Sequence, residues 1–552
     1  MNPKSTQRVP RAALLGAGAL AIVLVVVVVL LLAGGGGGDD DKNASAPQGD
    51  TTQKSATPDQ GQPSGTAGGK PTFSGTALPN GDLSNTRNVD GPITSQNVKQ
   101  LKAAWTLPLG QESQSQYGSY AASPVIVNGV VYSQDLASNV SAIDLKTGEV
   151  LWSKSYASPD QGPNGVNVGG GRVFGVTADS VFALDQKTGK ELWKKELIRN
   201  AGEGLDMAPG YHGGLVYAST VPGNNGKFYG GGTKGILWAL DAKTGKKVWS
   251  FDTAPTEKWS KKNVEINLGG GLWHTPAFDE AGNMYFGVGN PGPFPGTDEH
   301  PWGSSRPGKN LYTNSLVKLN AKTGKLKWYY QAVPHDLYDW DLQNPPILAK
   351  VKGKPAVIES GKLGYVIALD RATGKLLWKK AVGKHNGHDK DPIYASKGQY
   401  SKLKLGEEIY PGRLGGVIAP MSTDGQRVFV PVVNNSVTWN GPNKDDAQDG
   451  QQSTGELVAL DLDTGKEAWT VEYGTPSFGA TTVTNDVVFS TTFDGVVHAS
   501  DAKTGKPLWD QQLPAATNTG VAIHEGTIIA PAGLAAGQGQ TPSIVAYTLN
   551  GK

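Results

Sequence analysis

The sequence predicts an all-β, eight-bladed β-propeller preceded by one N-terminal transmembrane helix and a disordered linker. Three observations predict it: a motif that recurs along the chain, a copy of that motif split between the two ends of the globular part, and one long apolar run near the start. The motif is clearest from Ala239 to Trp249, where it reads Ala-Leu-Asp-Ala-Lys-Thr-Gly-Lys-Lys-Val-Trp. Ala142 to Trp152, Ala183 to Trp193, Lys318 to Trp328, Ala368 to Trp378, Ala459 to Trp469 and Ala499 to Trp509 are further copies. Each is a short apolar strand, an Asp (Asn320 in one copy), Thr-Gly at fixed offset, and a Trp four residues after the Gly. The run before the Asp alternates as a strand does. The Asp accepts backbone N–H bonds across the turn, and the Gly takes the positive φ the turn needs. The Trp returns on the next strand with a large ring to bury and one N–H to satisfy.

A unit this small cannot bury its own apolar face, so the copies must pack on one another. Successive motif Trp residues are roughly 40 or more apart, room for four short strands, the content of one propeller blade. Trp105, behind Leu101, has no Asp-x-x-Thr-Gly before it. At the other end, Ile544-Val545-Ala546-Tyr547 and Asn550-Gly551-Lys552 form a copy that stops before its Trp. The two halves complete each other. Pairing the strand around Trp105 with the strand around Val545 closes the ring and removes its free sheet edges. Seven whole copies plus the split one give eight blades; without the split blade the count is seven.

Lys4, Arg8 and Arg11 precede an uncharged run from Ala12 to Ala33, long enough to span a bilayer. The basic flank, 1–11, is expected to stay cytoplasmic, with 12–33 as an uncleaved anchor and the propeller outside the cell membrane. A cleaved signal peptide is the rival, but no clear Ala-x-Ala site follows the run. Residues 34–80 are mostly small, polar or Pro and read as a flexible tether; the propeller then occupies 81–552. The net charge of +2 gives no reason to expect a nucleic-acid partner. Gly 75 and Pro 35 suit a turn-rich all-β chain, and the absence of Cys excludes disulfides, thiolate metal sites and covalently attached haem.

Two insertions, about Asn290 to Asn310 and about Lys384 to Arg413, interrupt the repeats. Long loops in a compact domain are commonly functional. His385 and His388 lie in the second, where the surrounding Gly and Asp residues favour a loop over a metal-binding helix. Gly230, Gly232 and Gly235 fit Gly-x-Gly-x-x-Gly but lead into a strand, so no nucleotide is expected.

Separate motifs then carry a family resemblance. Asp82-Leu83-Ser84-Asn85-Thr86-Arg87 with Ile93-Thr94-Ser95-Gln96-Asn97-Val98, Gly289-Asn290-Pro291-Gly292-Pro293-Phe294, and Pro334-His335-Asp336-Leu337-Tyr338-Asp339-Trp340-Asp341 resemble motifs of the quinoprotein alcohol dehydrogenases, eight-bladed propellers that use pyrroloquinoline quinone (PQQ). The resemblance covers nearly the whole chain from Gly81 onward. It implies Trp273 as the platform under the quinone, Asn290 as a ligand to Ca²⁺ or a lanthanide, and Lys362, ahead of Leu369-Asp370-Arg371, as the cation on the quinone. A flat tricyclic anion suits an aromatic face and a cation, and a hard metal ion suits oxygen ligands.

The sequence departs from the family at three places. Lys309 stands where the resemblance puts the general-base Asp, in Arg306-Pro307-Gly308-Lys309. Gly230 stands at the metal-binding Glu, and the family's adjacent Cys pair falls near Gly165-Val166. Asp298, Glu299, His300, Lys309 itself and the Asp206 region are the charged groups available to compensate. Against these readings, Trp273 is also a plausible core aromatic, Asn290 a turn cap and Lys362 a surface lysine. His335, Asp336, Asp339 and Asp341 are expected to satisfy loop backbone and inter-blade bonds rather than to do chemistry.

Two functions are therefore expected from the sequence. One is a membrane-anchored, extracytoplasmic PQQ-dependent oxidoreductase acting on an alcohol-type substrate and passing electrons to a separate acceptor. The other is a non-catalytic propeller for binding, envelope assembly or sensing.

Overall fold

The computed structural model describes residues 78–109, 118–160, 162–223, 232–443, 446–536 and 539–551. The expected cytoplasmic segment, transmembrane helix and nearly all of the linker lie outside the described residues, as does Gly230. No helix among the described residues is long and apolar enough to cross a membrane.

Among the described residues, eight four-stranded antiparallel sheets follow one another along the chain. Seven are consecutive in sequence and span 125–154, 167–196, 210–252, 277–331, 347–381, 422–473 and 482–512. The eighth is composite: Ala522–His524, Thr527–Ala532 and Ser543–Leu549 take the N-terminal strand Leu101–Pro108 as their fourth. Thr106 pairs with Val545 in that blade, so the split repeat is one sheet. In each blade the first strands are buried, whereas the last alternates between half-buried and exposed residues, as in Val150–Lys154.

The motif residues act as the sequence predicts, with one addition. Asp241 Oδ1 accepts the N–H of Lys243 at 3.1 Å, the N–H of Thr244 at 2.9 Å and the Thr244 hydroxyl at 2.7 Å. The Trp, however, docks on the next blade rather than its own. Trp328 Nε1 donates to Arg371 O at 3.3 Å, Trp378 Nε1 to Leu462 O at 3.0 Å, and Trp105 Nε1 to Leu145 O at 3.0 Å, from the eighth blade to the first. Trp509 completes the circuit edge-on against Tyr547, 5.8 Å between centroids. The motif Gly therefore has two duties. Gly374 holds a φ of +70°, and a Cβ there would sit 2.8 Å from the Trp328 ring.

The opening motif has a structural role of its own. Phe278 N–H donates to Leu83 O, Leu348 N–H to Ser84 O, Thr423 N–H to Thr86 O and Val483 N–H to Arg87 O, at 2.8 to 3.0 Å. These are first strands of four successive blades. Buried Arg87 adds bonds to Thr481 O at 2.6 Å, Thr482 Oγ1 at 2.8 Å and Val521 O at 3.2 Å. The segment thus ties the inner strands together across the ring. Burial, with the Arg87 charge nearby, pushes the His274 imidazole down to about 4.

Candidate cofactor and metal site

Trp273 precedes the first strand of the fourth blade, Asn290 follows that blade's second strand Asn283–Gly287, and Lys362 follows the second strand of the fifth, Lys354–Glu359. The structure brings all three together through two carboxylates. Asp341 Oδ1 accepts the Asn290 backbone N–H at 2.6 Å. The Lys362 amine lies 2.7 Å from Asp341 Oδ2 and 2.8 Å from Asp339 Oδ2, and 6.0 Å from the centroid of the half-buried Trp273 ring. Between them is Gly289, where a Cβ would stand 3.1 Å from Trp273 Nε1 and 3.2 Å from Asp341 Oδ1. A side chain there would crowd the ring edge against the carboxylate.

The expectation for the Pro-His-Asp motif holds for most of it. His335 stands between two carbonyls, Nδ1 2.9 Å from Gly308 O and Nε2 3.0 Å from Trp302 O; burial beside Arg306 pushes its imidazole down to about 3, so the neutral ring donates to one of the two. Asp336 accepts the N–H groups of Tyr338 at 2.9 Å and Trp340 at 2.7 Å. Asp341 meets it through the Asn290 backbone N–H, but it also joins Asp339 in forming the seat of Lys362, which the expectation did not include. Burial opposes the charge on Lys362, but the two carboxylates outweigh it and hold the ammonium above its ordinary range. One ammonium cannot neutralise two carboxylates. Burial, together with the charge of Asp341, pushes Asp339 up to about 7 despite Lys362.

A further buried carboxyl lies alongside. Asp206 is 1% exposed, and its Oδ1 has no hydrogen-bond partner among the described residues. Burial raises its carboxyl well above the ordinary range, and the charges of Asp160 and Asp341 add to the rise. The Asn290 amide nitrogen is likewise buried and unpartnered. Both orphans adjoin Asp341, Asp206 through its charge and Asn290 through its backbone N–H. Among the described residues, no group of three or more His, Cys, Asp or Glu side chains stands close enough to hold a metal ion unaided.

Other sequence candidates go elsewhere. Asp298 and Glu299 are exposed, and Asp298 accepts from Asn443 at 2.9 Å. His385 bonds Asp389 and His388 bonds Asp391, each at 2.8 Å, on short turns of the second insertion. Lys309 is exposed, its amine makes no bond among the described residues, and it lines a separate cavity of about 290 Å³ to which Trp273, Asn290 and Lys362 do not contribute.

Comparison with known proteins agrees with this architecture. The model described as glucose/ethanol/alcohol dehydrogenase, beta-propeller domain, matches residues 89–172 and 209–383, and that of outer membrane protein assembly factor BamB matches 453–549. A quinohemoprotein alcohol dehydrogenase of Comamonas testosteroni is 32% identical over 501 residues, covering 79% of this chain and 68% of the relative. Among solved structures, quinohemoprotein alcohol dehydrogenase ADHIIG of Pseudomonas putida superimposes with a TM-score of 0.74 at 25% identity, over 87% of this chain and 81% of that one. A europium-containing methanol dehydrogenase superimposes with a TM-score of 0.71 at 20% identity, over 86% and 98%, a likeness of fold. The chain belongs to the PQQ alcohol dehydrogenase-like β-propellers.

Proposed function

We propose that this chain is a PQQ-dependent oxidoreductase acting on an alcohol-type substrate, anchored to the cell membrane with the propeller outside, and that a hard cation must bind before the quinone. The observation that carries the reading is the Asp341 carboxylate, which joins Asn290 and Lys362 beside the Trp273 face. The groups present fit the quinone in shape: an aromatic face, a cation near its edge and a Gly289 gap beside it. They fit it in charge only with help. Asp339 and Asp341 share a single ammonium, with Asp206 alongside Asp341, whereas PQQ carries carboxylates of its own. Asn290, through its side-chain oxygen, and Asp206 would hold a Ca²⁺ or lanthanide ion, which would supply the missing positive charge. Asp206 then replaces the carboxylate that Gly230 cannot provide.

PQQ, when bound, supplies the two-electron acceptor; the electrons leave to a separate acceptor. The chain's own part is positioning and proton handling. Trp273 fixes the plane, and Lys362, held by Asp339 and Asp341, fixes the edge. Lys309 lines a different cavity, so it does not serve as base. Asp339, near 7, is the carboxylate suited to take a proton at neutral pH.

A second reading, a ring without chemistry, draws support from the same excess of carboxylate. Terbium luminescence sensitised by Trp273 separates the two. Saturable Tb³⁺ binding displaced by Ca²⁺ or La³⁺, and weakened at least tenfold by Asp206→Asn, supports the oxidoreductase. Absence of Tb³⁺ binding leaves the scaffold reading.

A further inference from the structure

Lys362 sits at the corner of a tight turn. Gly364 N–H donates to Gly361 O at 3.0 Å, which leaves Lys362 and Leu363 as the corner residues. The two ends of the second insertion touch this turn on its two flanks. At the starting end, His385 Nε2 stands 3.0 Å from Gly364 O. The ring is fixed by Asp389, 2.8 Å from Nδ1, and by Tyr365, edge-on at 4.8 Å between centroids. At the finishing end Pro411 closes on the same glycine: a Cβ on Gly364 would stand 2.8 Å from the Pro411 ring and from His385 Nε2. Pro411 O accepts the Trp340 Nε1–H at 2.8 Å, and Trp340 lies in sequence between the two carboxylates that seat Lys362. Just beyond, Val417 N–H donates to Gly361 O at 3.0 Å. Gly416, at φ +77°, passes so close that a Cβ would stand 2.9 Å from Lys362 Cα. Both ends are held in turn by the sixth blade, Lys384 N–H donating to Asn434 Oδ1 at 2.8 Å and Gly412 N–H to Asn435 O at 2.7 Å.

We propose that His385 and Gly416 are positioning residues for Lys362: the second insertion closes on its turn from both sides and keeps the amine between Asp339 and Asp341. A lysine side chain carries much rotamer freedom, so a single amine position needs a backbone that does not shift beneath it. Gly416 supplies the close backbone approach that a Cβ would forbid, and His385 supplies the contact on the opposite flank. The histidine that the sequence offers as a weak metal candidate therefore serves geometry instead. The consequence for the quinone edge rests on the oxidoreductase reading; the seat of Lys362 does not.

The test uses the full chain without cofactor, pulse-labelled with acetic anhydride and read by peptide mass spectrometry. Lys318, whose buried amine donates to Arg371 O at 3.0 Å, is the internal control for general loosening. His385→Asn, whose amide stops short of Gly364 O, raises Lys362 labelling at least fivefold, as does Gly416→Ala. His385→Gln, whose amide reaches the Nε2 position, stays within twofold of the parent. Lys318 labelling is unchanged in all three. PQQ titration in the presence of Ca²⁺ follows the same order, at least fivefold weaker in His385→Asn and within twofold in His385→Gln. The proposal is overturned if His385→Asn leaves Lys362 labelling at the parental rate, if His385→Gln exposes the amine as much as His385→Asn, or if Lys318 rises in step with Lys362. If the parent binds no PQQ while the labelling follows this order, the quinone reading falls and the positioning role stands.

Discussion

Lys362→Met removes the one ammonium seated between Asp339 and Asp341 while keeping much of the side chain's volume. Asp341 is 1% exposed and Asp339 13% in their side chains, so neither carboxylate recovers full hydration. Removing one partner of a buried pair costs about 3–5 kcal/mol, because the remaining charge is left uncompensated. Unfolding entropy near 2.1 cal/mol/K per residue amounts to roughly 1 kcal/mol/K for a chain of this length, so Tm should fall by about 3–5 °C. The assay is scanning calorimetry at pH 5 and pH 8. At pH 5 protonation of the abandoned carboxylates shrinks the loss; at pH 8 it is full. Lys362→Met combined with Asp339→Asn recovers part of it. The reasoning is refuted if Lys362→Met leaves Tm within 1 °C of the parent at pH 8, or if the loss is equal at both pH values.

Gly374→Ala forces a Cβ toward the Trp328 ring at a φ of +70° and should cost about 2–3 kcal/mol, read as a Tm drop. Gly353→Ala, at φ +74° with nothing within 4 Å, should cost only about 1 kcal/mol, and equal losses would show that ring docking contributes nothing. Arg87→Met breaks the bonds from the opening segment to Thr481, Thr482 and Val521 and should lower Tm by several degrees; an unchanged Tm would mean the segment does not tie the blades. Buried Asp336 is raised to about 6 and Asp339 to about 7, against an ordinary value near 4. The folded state then binds more protons than the unfolded state between pH 4 and 7, so this contribution to stability is present at the acid end and declines as pH rises through that window. Calorimetry of the cation-free protein should show the decline; a rise over the same window in Lys362→Met would contradict the assignment.

The motif made the blades legible because each part of it acts locally: Asp241 bonds its own turn, and Gly245 supplies that turn's φ. What Trp328 touches was not legible. Repetition shows that copies pack but not that a ring sits on the glycine of the following copy. The split eighth blade was readable because Trp105 lacked a turn before it and Val545 lacked a Trp after it. At the site, Trp273, Asn290 and Lys362 were reached through motifs, but their link was not. Asp336 and Asp341 look alike in sequence, and only the fold reveals that one bonds its own loop while the other receives Lys362. Asp206 stood among several charged candidates in the sequence, and what singles it out is burial beside Asp160 and Asp341. Lys309 shows the converse, since the motif fixes its place in the chain while the fold decides which cavity it lines.

The most direct test of the central claim is a PQQ titration of the full chain, first in chelator and then with Ca²⁺ or La³⁺, following quinone absorbance and tryptophan fluorescence. The account predicts no binding in chelator, saturable one-to-one binding once the cation is present, and loss of that binding in Trp273→Ala. Failure of PQQ to bind with any cation, or equal binding by Trp273→Ala, would contradict it.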